Sequence, residues 1–361
     1  MAIANRNGIT DPRTTKAIIT AVAFAGIAAI SYFSYHHSSS DAILVTNNNP
    51  PRITDPPRVS TSERNASDIE FEERLRKVRE KLTTSRFSHY LEAHQWAPSA
   101  AIAVFDLVGD KSILLAALRS SPDNQEILLR LAVLFHQDED NEKYFDALAK
   151  VNDPSSLVQY VLASHSSSQK NPGDFLSHLR AAVEKTAPEL LSRAQLLEMR
   201  RACRSIGLSE ADLMAVTGVS SPYQSAAANR VFAIGMDLFP LLETESDEAK
   251  YDVAGVGVAW TEHLRSMRSQ TAAAELFALR DQGKFLAALP PDTEFGNSGL
   301  TVSEQSKKLE QERQATFSTI LKANDLLPTL TAAQLEDYLD EKAILGEFDA
   351  MRNLLDRLSS N

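Results

Sequence analysis

The chain has 361 residues, of which 43% are apolar and 24% charged, a balance that is close to the globular average and excludes disorder throughout. Its net charge of −11 disfavours nucleic acid as a partner, because an acidic surface repels the phosphate backbone. Glycine and aromatic residues are sparse while alanine, leucine and glutamate are plentiful, which favours helices over sheets.

The first predicted element is a membrane anchor over residues 17–35. The run Ala17–Phe33 is free of charge and, as a helix, covers roughly 26 Å, near the short end of what spans a bilayer core of about 30 Å. Tyr32 and Tyr35 lie at its far end, where aromatic rings favour the membrane interface. Basic side chains precede the run, so the positive-inside tendency predicts a cytoplasmic tail over residues 1–16 and an extracytoplasmic body.

Two other interpretations of this segment stay open. A cleaved signal peptide requires a small-x-small site after a shorter apolar core, whereas the Ala-x-Ala patterns here fall inside the apolar run. A buried core helix is disfavoured because this helix is apolar on all sides and precedes a polar tether. We therefore predict a single-pass protein of a bacterial inner membrane whose body faces the periplasm. A mitochondrial or eukaryotic anchor with the same topology is the alternative.

Residues 36–67 are predicted to form a disordered, proline-rich linker. Two Pro-Pro pairs and many Asn, Ser and Thr residues leave too little apolar surface to order this segment. Proline stiffens such a linker towards an extended form, so we expect it to hold the body away from the bilayer.

A narrow apolar stripe follows the linker. Its members recur at spacings of four, three and four residues, the period of one helix face, and are Phe71, Leu75, Val78 and Leu82. Such a stripe among alternating charges can form a coiled-coil seam, so residues 68–82 are a candidate for oligomerisation. Barely two heptads are present, however, and packing on the body is at least an equal expectation.

Four prolines further along the chain indicate a repeated unit. Pro122, Pro154, Pro188 and Pro222 stand 32, 34 and 34 residues apart. Proline suits the first turn of a helix but not its interior, so each is predicted to open a unit of two short helices. In the first unit the apolar faces are Ile127, Leu128, Leu131, Leu134 and Phe135, followed by Tyr144, Phe145, Leu148 and Val151.

This two-helix unit resembles the tetratricopeptide family of helical repeats over residues 122–221. Leu129, Ala149 and Pro154 match the large apolar, small and closing proline positions of that family, whereas the aromatic residue and the glycine of its first helix are absent. The resemblance implies a curved stack of helical hairpins that binds protein segments on its concave side. It carries no ligand residues over to this chain.

Helical patterning continues to the C-terminus. Helices are predicted over about 226–242, 247–267, 270–289, 303–323, 331–345 and 347–358, with a break at 290–299. The nearest approach to a strand pattern, at 254–260, is flanked by helical sequence. The predicted fold is therefore all-α, with an α-solenoid-like body of stacked helical hairpins at 68–289 and a C-terminal helical segment at 300–361.

No stretch of the sequence carries a catalytic, cofactor-binding or metal-binding signature. His89 and His94 lie five residues apart, on different helix faces, which does not favour a zinc site. Gly255 and Gly257 lack the third glycine of a dinucleotide site. Cys203 is expected to be a small buried helix residue rather than a reactive thiol. We therefore assign no catalytic, metal or cofactor residues and expect no cofactor.

The anchor, the tether and the proline spacing together favour one function. We expect a membrane-anchored, non-catalytic scaffold or adaptor in the cell envelope that binds other proteins through its helical body. Two alternatives stay open. One is an anchored cell-envelope enzyme whose site is assembled from scattered residues, and the other is an oligomerisation module built on residues 68–82.

Overall fold

The computed structural model describes residues 76–135, 138, 140–209, 212, 221–244, 246–267, 272–296 and 299–359. Fourteen α-helices lie within these ranges. None of the residues in them forms a strand, although one isolated antiparallel bridge joins Glu294 to Thr301. The predicted all-α class is confirmed.

The helices are numbered here in chain order. Helices α1 to α7 span Thr84–Ala93, Pro98–Val108, Lys111–Ser120, Gln125–Leu134, Glu142–Ala149, Ser156–Ser168 and Pro172–Val183. Helices α8 to α14 span Arg193–Ser205, Pro222–Thr244, Asp247–Ser266, Ala273–Ala287, Val302–Leu326, Ala332–Leu345 and Glu347–Ser359. A 3-10 turn at Leu327–Thr329 connects α12 to α13.

Side-chain caps determine where several helices begin. The Asn124 and Ser155 side chains accept hydrogen bonds from backbone N–H groups in the first turns of α4 and α6, which the helices themselves leave unpaired. Reciprocal capping boxes open α8, α12 and α13 through the pairs Ser192 with Gln195, Thr301 with Glu304, and Thr331 with Gln334. The local sequence thus contributes to these boundaries through hydrogen bonds that span only three residues.

Helices α2 to α7 form three successive pairs, in which α2 packs on α3, α4 on α5, and α6 on α7. The first helices of the pairs also contact one another, because α4 lies against both α2 and α6. The apolar faces predicted for the first two-helix unit are the faces that pack. Buried residues among them are Ile127, Leu128 and Leu131 of α4 and Tyr144, Phe145 and Leu148 of α5.

After these pairs the chain turns back over them. Helix α8 packs against α2 and α1, and the Tyr90 hydroxyl of α1 donates a 2.5 Å hydrogen bond to the Glu198 carboxylate of α8. Helix α9 packs against α4 and α6. Helices α8 and α9 therefore cover the first helices of all three pairs and close the main core.

Glycines allow α9, α10 and α11 to approach closely. A Cβ added at Gly257 of α10 would lie 2.5 Å from the ring of Phe285 in α11, and one at Gly235 of α9 would lie 2.7 Å from Trp260 of α10. The buried Trp260 indole N–H donates a 3.0 Å hydrogen bond to a backbone carbonyl of α9. The stretch 254–260, which came closest to a strand pattern, is thus the interior of a closely packed helix.

A second core joins the last three helices to the start of α11. Its buried members are Ala272, Ile320, Ala323, Leu327, Leu330, Tyr338, Leu339, Ala350, Met351 and Leu354. The carboxylate of Glu347, which is 6% exposed, accepts hydrogen bonds from the Ala272 N–H at 2.5 Å and from Lys342 Nζ at 2.6 Å. This buried carboxylate holds the start of α11 against the junction of α13 and α14.

The repeated prolines differ in position relative to the helices. Pro222 occupies the first turn of α9, as predicted, whereas Pro122, Pro154 and Pro188 lie in the connections that precede α4, α6 and α8. Their fixed φ still suits the approach to a helix from an extended segment. Their spacing therefore reflects the intervals between helix starts more than their placement inside a first turn.

The segments before α1 are described only in part. Val78 and Leu82 are buried in the main core, so this half of the apolar stripe packs on the body, whereas Phe71 and Leu75 lie outside the described residues. The predicted anchor at 17–35 and the linker at 36–67 also lie outside them. Among the helices that the structure does describe, none has both the length and the apolar character needed to cross a bilayer.

Candidate functional site

A cleft of about 730 Å³ lies between α10, α11, α12 and α14, and we refer to it as the charged cleft. Its charged lining residues come from all four helices and are Glu262, Arg265, Glu275, Glu312, Asp349 and Arg352. Met267, Ala315 and Phe348 add apolar surface. The volume falls within the range of about 300–1,000 Å³ that is typical of ligand sites in proteins.

Arg265 connects three walls of the charged cleft. Its Nε donates a 2.8 Å hydrogen bond to Glu275 Oε1, and its Nη2 donates to Glu312 Oε1. Arg265 lies in the last turn of α10 and Glu275 in the first turn of α11, where each charge also interacts favourably with the dipole of its own helix. A single guanidinium therefore positions α10, α11 and α12 around the opening.

The pKa of Glu275 is raised above its usual value of 4.5, chiefly because the carboxyl group is largely buried. The Arg265 guanidinium acts in the opposite direction, while the carboxylates of Glu312 and Asp349 raise the pKa further. Burial by itself would lower the pKa of Arg265, but its pairing with Glu275 and Glu312 outweighs burial and raises it. Burial of the carboxyl group is thus the main reason that Glu275 holds its proton more tightly than usual, and the two neighbouring carboxylates add to it.

A second arginine, Arg130 of α4, holds three helices together inside the main core. Its Nε and Nη2 donate to the two carboxylate oxygens of Asp106 in α2 at 2.9 and 2.8 Å, and its Nη1 donates to the Glu126 carboxylate at 2.9 Å. The guanidinium carbon lies 4.0 Å from the centre of the Tyr223 ring of α9. The side chains of Arg130 and Asp106 have no solvent exposure, so this Arg130 cluster presents no surface to a ligand.

A third arginine, Arg230 of α9, is half-buried and forms no ion pair with the residues that the structure describes around it. Its guanidinium carbon lies 5.8 Å from the centre of the Phe145 ring, which stacks on the His165 ring at 3.8 Å. Burial lowers the pKa of Arg230, because no carboxylate compensates for the lost hydration. It is a single uncompensated cation and does not by itself form a cavity site.

The residues singled out in the sequence do not come together. Cys203 is a buried residue of α8, as predicted, and burial raises the pKa of its thiol to about 12. His89 is exposed on α1, whereas His94 follows the end of that helix with Nδ1 2.8 Å from the Tyr90 carbonyl oxygen. In the described part of the chain no group of three or more His, Cys, Asp or Glu residues is arranged to hold a metal ion.

The sequence carries no pattern that marks the charged cleft. Its lining residues are spread from Glu262 to Arg352 and share no spacing, so no local motif marks them. The only local signal is a basic residue, Arg265, at the end of one helix and an acidic residue, Glu275, at the start of the next. Helix dipoles favour that placement in any helical protein, which makes the signal unspecific.

Compared with protein-family models, curated proteins and solved structures, the chain matches none. Its function is therefore inferred from the fold and from the charged cleft.

Proposed function

We propose that this chain is a membrane-tethered helical scaffold that binds a partner protein at the charged cleft. The observation that carries the proposal is the cleft itself, an opening between four helices that is lined by partly exposed charged groups of both signs. Such groups provide the orientation and the selectivity of polar protein–protein contacts. The sequence adds the predicted anchor at 17–35 and the linker at 36–67, which would present the body at a distance from the bilayer.

The helix pairs support an α-solenoid-like arrangement of stacked hairpins, and two of them, α4 with α5 and α6 with α7, lie within residues 122–221, which resemble tetratricopeptide repeats. In this chain, however, α8 and α9 cover the first helices of all three pairs. That side of the stack is therefore occupied by the protein's own helices. The charged cleft is formed by later helices and is open, so we place the partner there rather than on the helix pairs.

Site-specific photo-crosslinking in the native membrane tests this proposal. A photoreactive phenylalanine analogue replaces Ala315, an exposed residue that lines the cleft on α12, in the full chain. The matched control carries the analogue at Gln314, which is exposed on the same helix outside the cleft. We expect a discrete adduct with another protein from position 315 and none from position 314. No adduct at 315, or equal adducts at both positions, would contradict the proposal.

Cell fractionation tests the tether separately. The full chain is expected in the membrane fraction, and a chain that begins at residue 36 is expected in the soluble fraction. Recovery of both chains in the soluble fraction would remove the anchor from the proposal while leaving the partner site to the crosslinking result.

One observation favours a second function, an anchored cell-envelope enzyme. Glu275 is largely buried beside an open cleft and its pKa is raised, a condition under which a carboxyl group can serve as a general acid. A panel of chromogenic ester and glycoside substrates tests this function. It requires turnover by the full chain that Glu275→Gln abolishes, whereas a scaffold shows no such turnover and keeps its crosslinked partner in that variant.

A further inference from the structure

We propose that the charged cleft receives a lysine or arginine side chain of the partner protein. This inference rests on the proposed function, because it specifies the chemistry of the partner at the same site. Four aspartate and glutamate side chains line the cleft, against two arginines. The described lining therefore has an excess of negative charge, which a cationic side chain would neutralise.

Two of the carboxylates have an oxygen available for a new donor. Glu312 accepts from Arg265 through Oε1, and Asp349 pairs with Arg352 through Oδ1 at 3.0 Å. Their other oxygens, Glu312 Oε2 and Asp349 Oδ2, have no hydrogen-bond partner among the described residues, and the two side chains are 40% and 47% exposed. Because an ionised carboxylate can accept several hydrogen bonds, a partner cation can bind without displacing either arginine.

Glu275 strengthens the preference for a cation over a neutral group. Burial raises its pKa most, and the carboxylates of Glu312 and Asp349 raise it further. A cation bound beside them offsets this repulsion, so Glu275 loses its proton more readily when the cleft is occupied. Affinity for the cation is therefore expected to increase as the pH rises through the titration of Glu275.

The apolar part of the lining suits the stem of a long basic side chain. Lysine and arginine bury their methylene groups against apolar surface while the charged head stays in a polar setting. Met267, Ala315 and Phe348 provide such surface in the same cleft as the carboxylates. The Phe348 ring additionally offers a π-face to an ammonium or guanidinium group.

Titration of the full chain in zwitterionic detergent micelles with a short peptide of alternating alanine and arginine tests the inference. The matched peptide replaces each arginine with citrulline, which keeps the shape of the side chain and removes its charge. We expect at least about tenfold tighter binding of the arginine peptide, and a loss of this difference at high salt. Equal affinities for the two peptides, or no binding of either, would overturn the inference.

A pair of variants on one helix locates the site. Glu312→Gln is expected to weaken binding of the arginine peptide about tenfold, because it removes a carboxylate that accepts from the cation. Glu310→Gln is the control, since Glu310 is exposed outside the cleft and pairs with Arg313 at 2.8 Å. Asp349→Asn is expected to repeat the loss from a different helix. An equal loss in Glu310→Gln would indicate unspecific attraction to the acidic surface and overturn the site.

The failures of the two proposals are distinguishable. If position 315 still crosslinks to another protein while both peptides bind equally, the scaffold function is retained and the basic partner is wrong. If the arginine peptide binds selectively while position 315 yields no adduct, the cation site is retained and the scaffold function is wrong.

Discussion

Two arginines each hold three helices together, but only one of them faces a cleft. Arg130 and Arg265 each pair with two carboxylates, and each connects three helices. The Arg130 side chain is completely buried, whereas Arg265 is 26% exposed and has the further carboxylate of Asp349 nearby. An arginine paired with two carboxylates therefore has a structural role at Arg130, where solvent is excluded. At Arg265 the same pairing lines a candidate binding site, because further carboxylates are present and accessible.

The largest expected loss of stability follows the substitution of the buried Arg130. Arg130→Met leaves Asp106 buried without its bidentate partner, and we expect the free energy of unfolding to fall by about 3–5 kcal/mol. Denaturant titration measures this loss. The double variant Arg130→Met with Asp106→Leu removes both charges and should recover most of the stability. A double variant as unstable as the single one would show that the unpaired Asp106 is not the cause.

The close packing of α10 on α11, two of the helices that form the charged cleft, is tested at Gly257. In Gly257→Ala the new Cβ would lie 2.5 Å from the Phe285 ring, and we expect a loss of about 1–3 kcal/mol from overpacking between α10 and α11. Gly255→Ala is a matched control on the same helix, because its Cβ meets nothing within 4 Å. The control should gain up to about 1 kcal/mol from helix propensity. Similar midpoints of unfolding for the two variants would contradict the close approach.

Arg265, which is partly exposed, is expected to contribute less to stability than the buried Arg130. Arg265→Met removes two charge-assisted hydrogen bonds, but solvent reaches the pair and screens it, so we expect a loss of about 1–2 kcal/mol. The same denaturant titration measures it. A loss as large as that of Arg130→Met would show that the difference in solvent exposure between the two arginines does not determine their contribution to stability.

The carboxyl group of Glu275, which pairs with Arg265, is expected to make the stability of the protein depend on pH. Its folded-state pKa is raised, so between 4.5 and that raised value the folded state binds a proton that the unfolded state has released. The protein should therefore lose stability relative to Glu275→Gln as the pH rises through this window. Parallel unfolding titrations of the two proteins measure the difference, in which the other titrating groups largely cancel. A gain in stability relative to Glu275→Gln as the pH rises through this window would contradict the raised pKa of Glu275.

The smallest change in stability is expected at Arg230, which pairs with no carboxylate among the described residues. Arg230→Met keeps the stem that packs near Phe145 and removes a charge that burial disfavours. We expect the free energy of unfolding to change by no more than about 0.5 kcal/mol, or to increase slightly. A loss comparable to that of Arg265→Met would show that Arg230 supports the fold through its charge.

The helices could be predicted from the sequence because their signals are local. Thr301 and Glu304 lie three residues apart ahead of an apolar period, and the helix predicted at 303–323 is α12. At the start of α7, the Asn171 side chain caps the first turn and Pro172 occupies it, and both are local signals of a helix start. Such signals act within one or two turns and need no knowledge of what each helix packs against.

The candidate site could not be predicted because its pairings are not local. Arg265 and Glu312 are 47 residues apart, and with 37 basic and 48 acidic residues in the chain the sequence does not select one pair. Gly257 similarly appears in the sequence as a residue that weakens a helix. Only the position of Phe285 shows why a side chain there would not fit.

The covering of the helix pairs by α8 and α9 has a consequence for biosynthesis. Helices α2 to α7 emerge from the ribosome before α9, and the faces of α4 and α6 that α9 covers stay open to water until residues beyond Pro222 have been made. A nascent chain arrested before that point would expose this surface to aggregation.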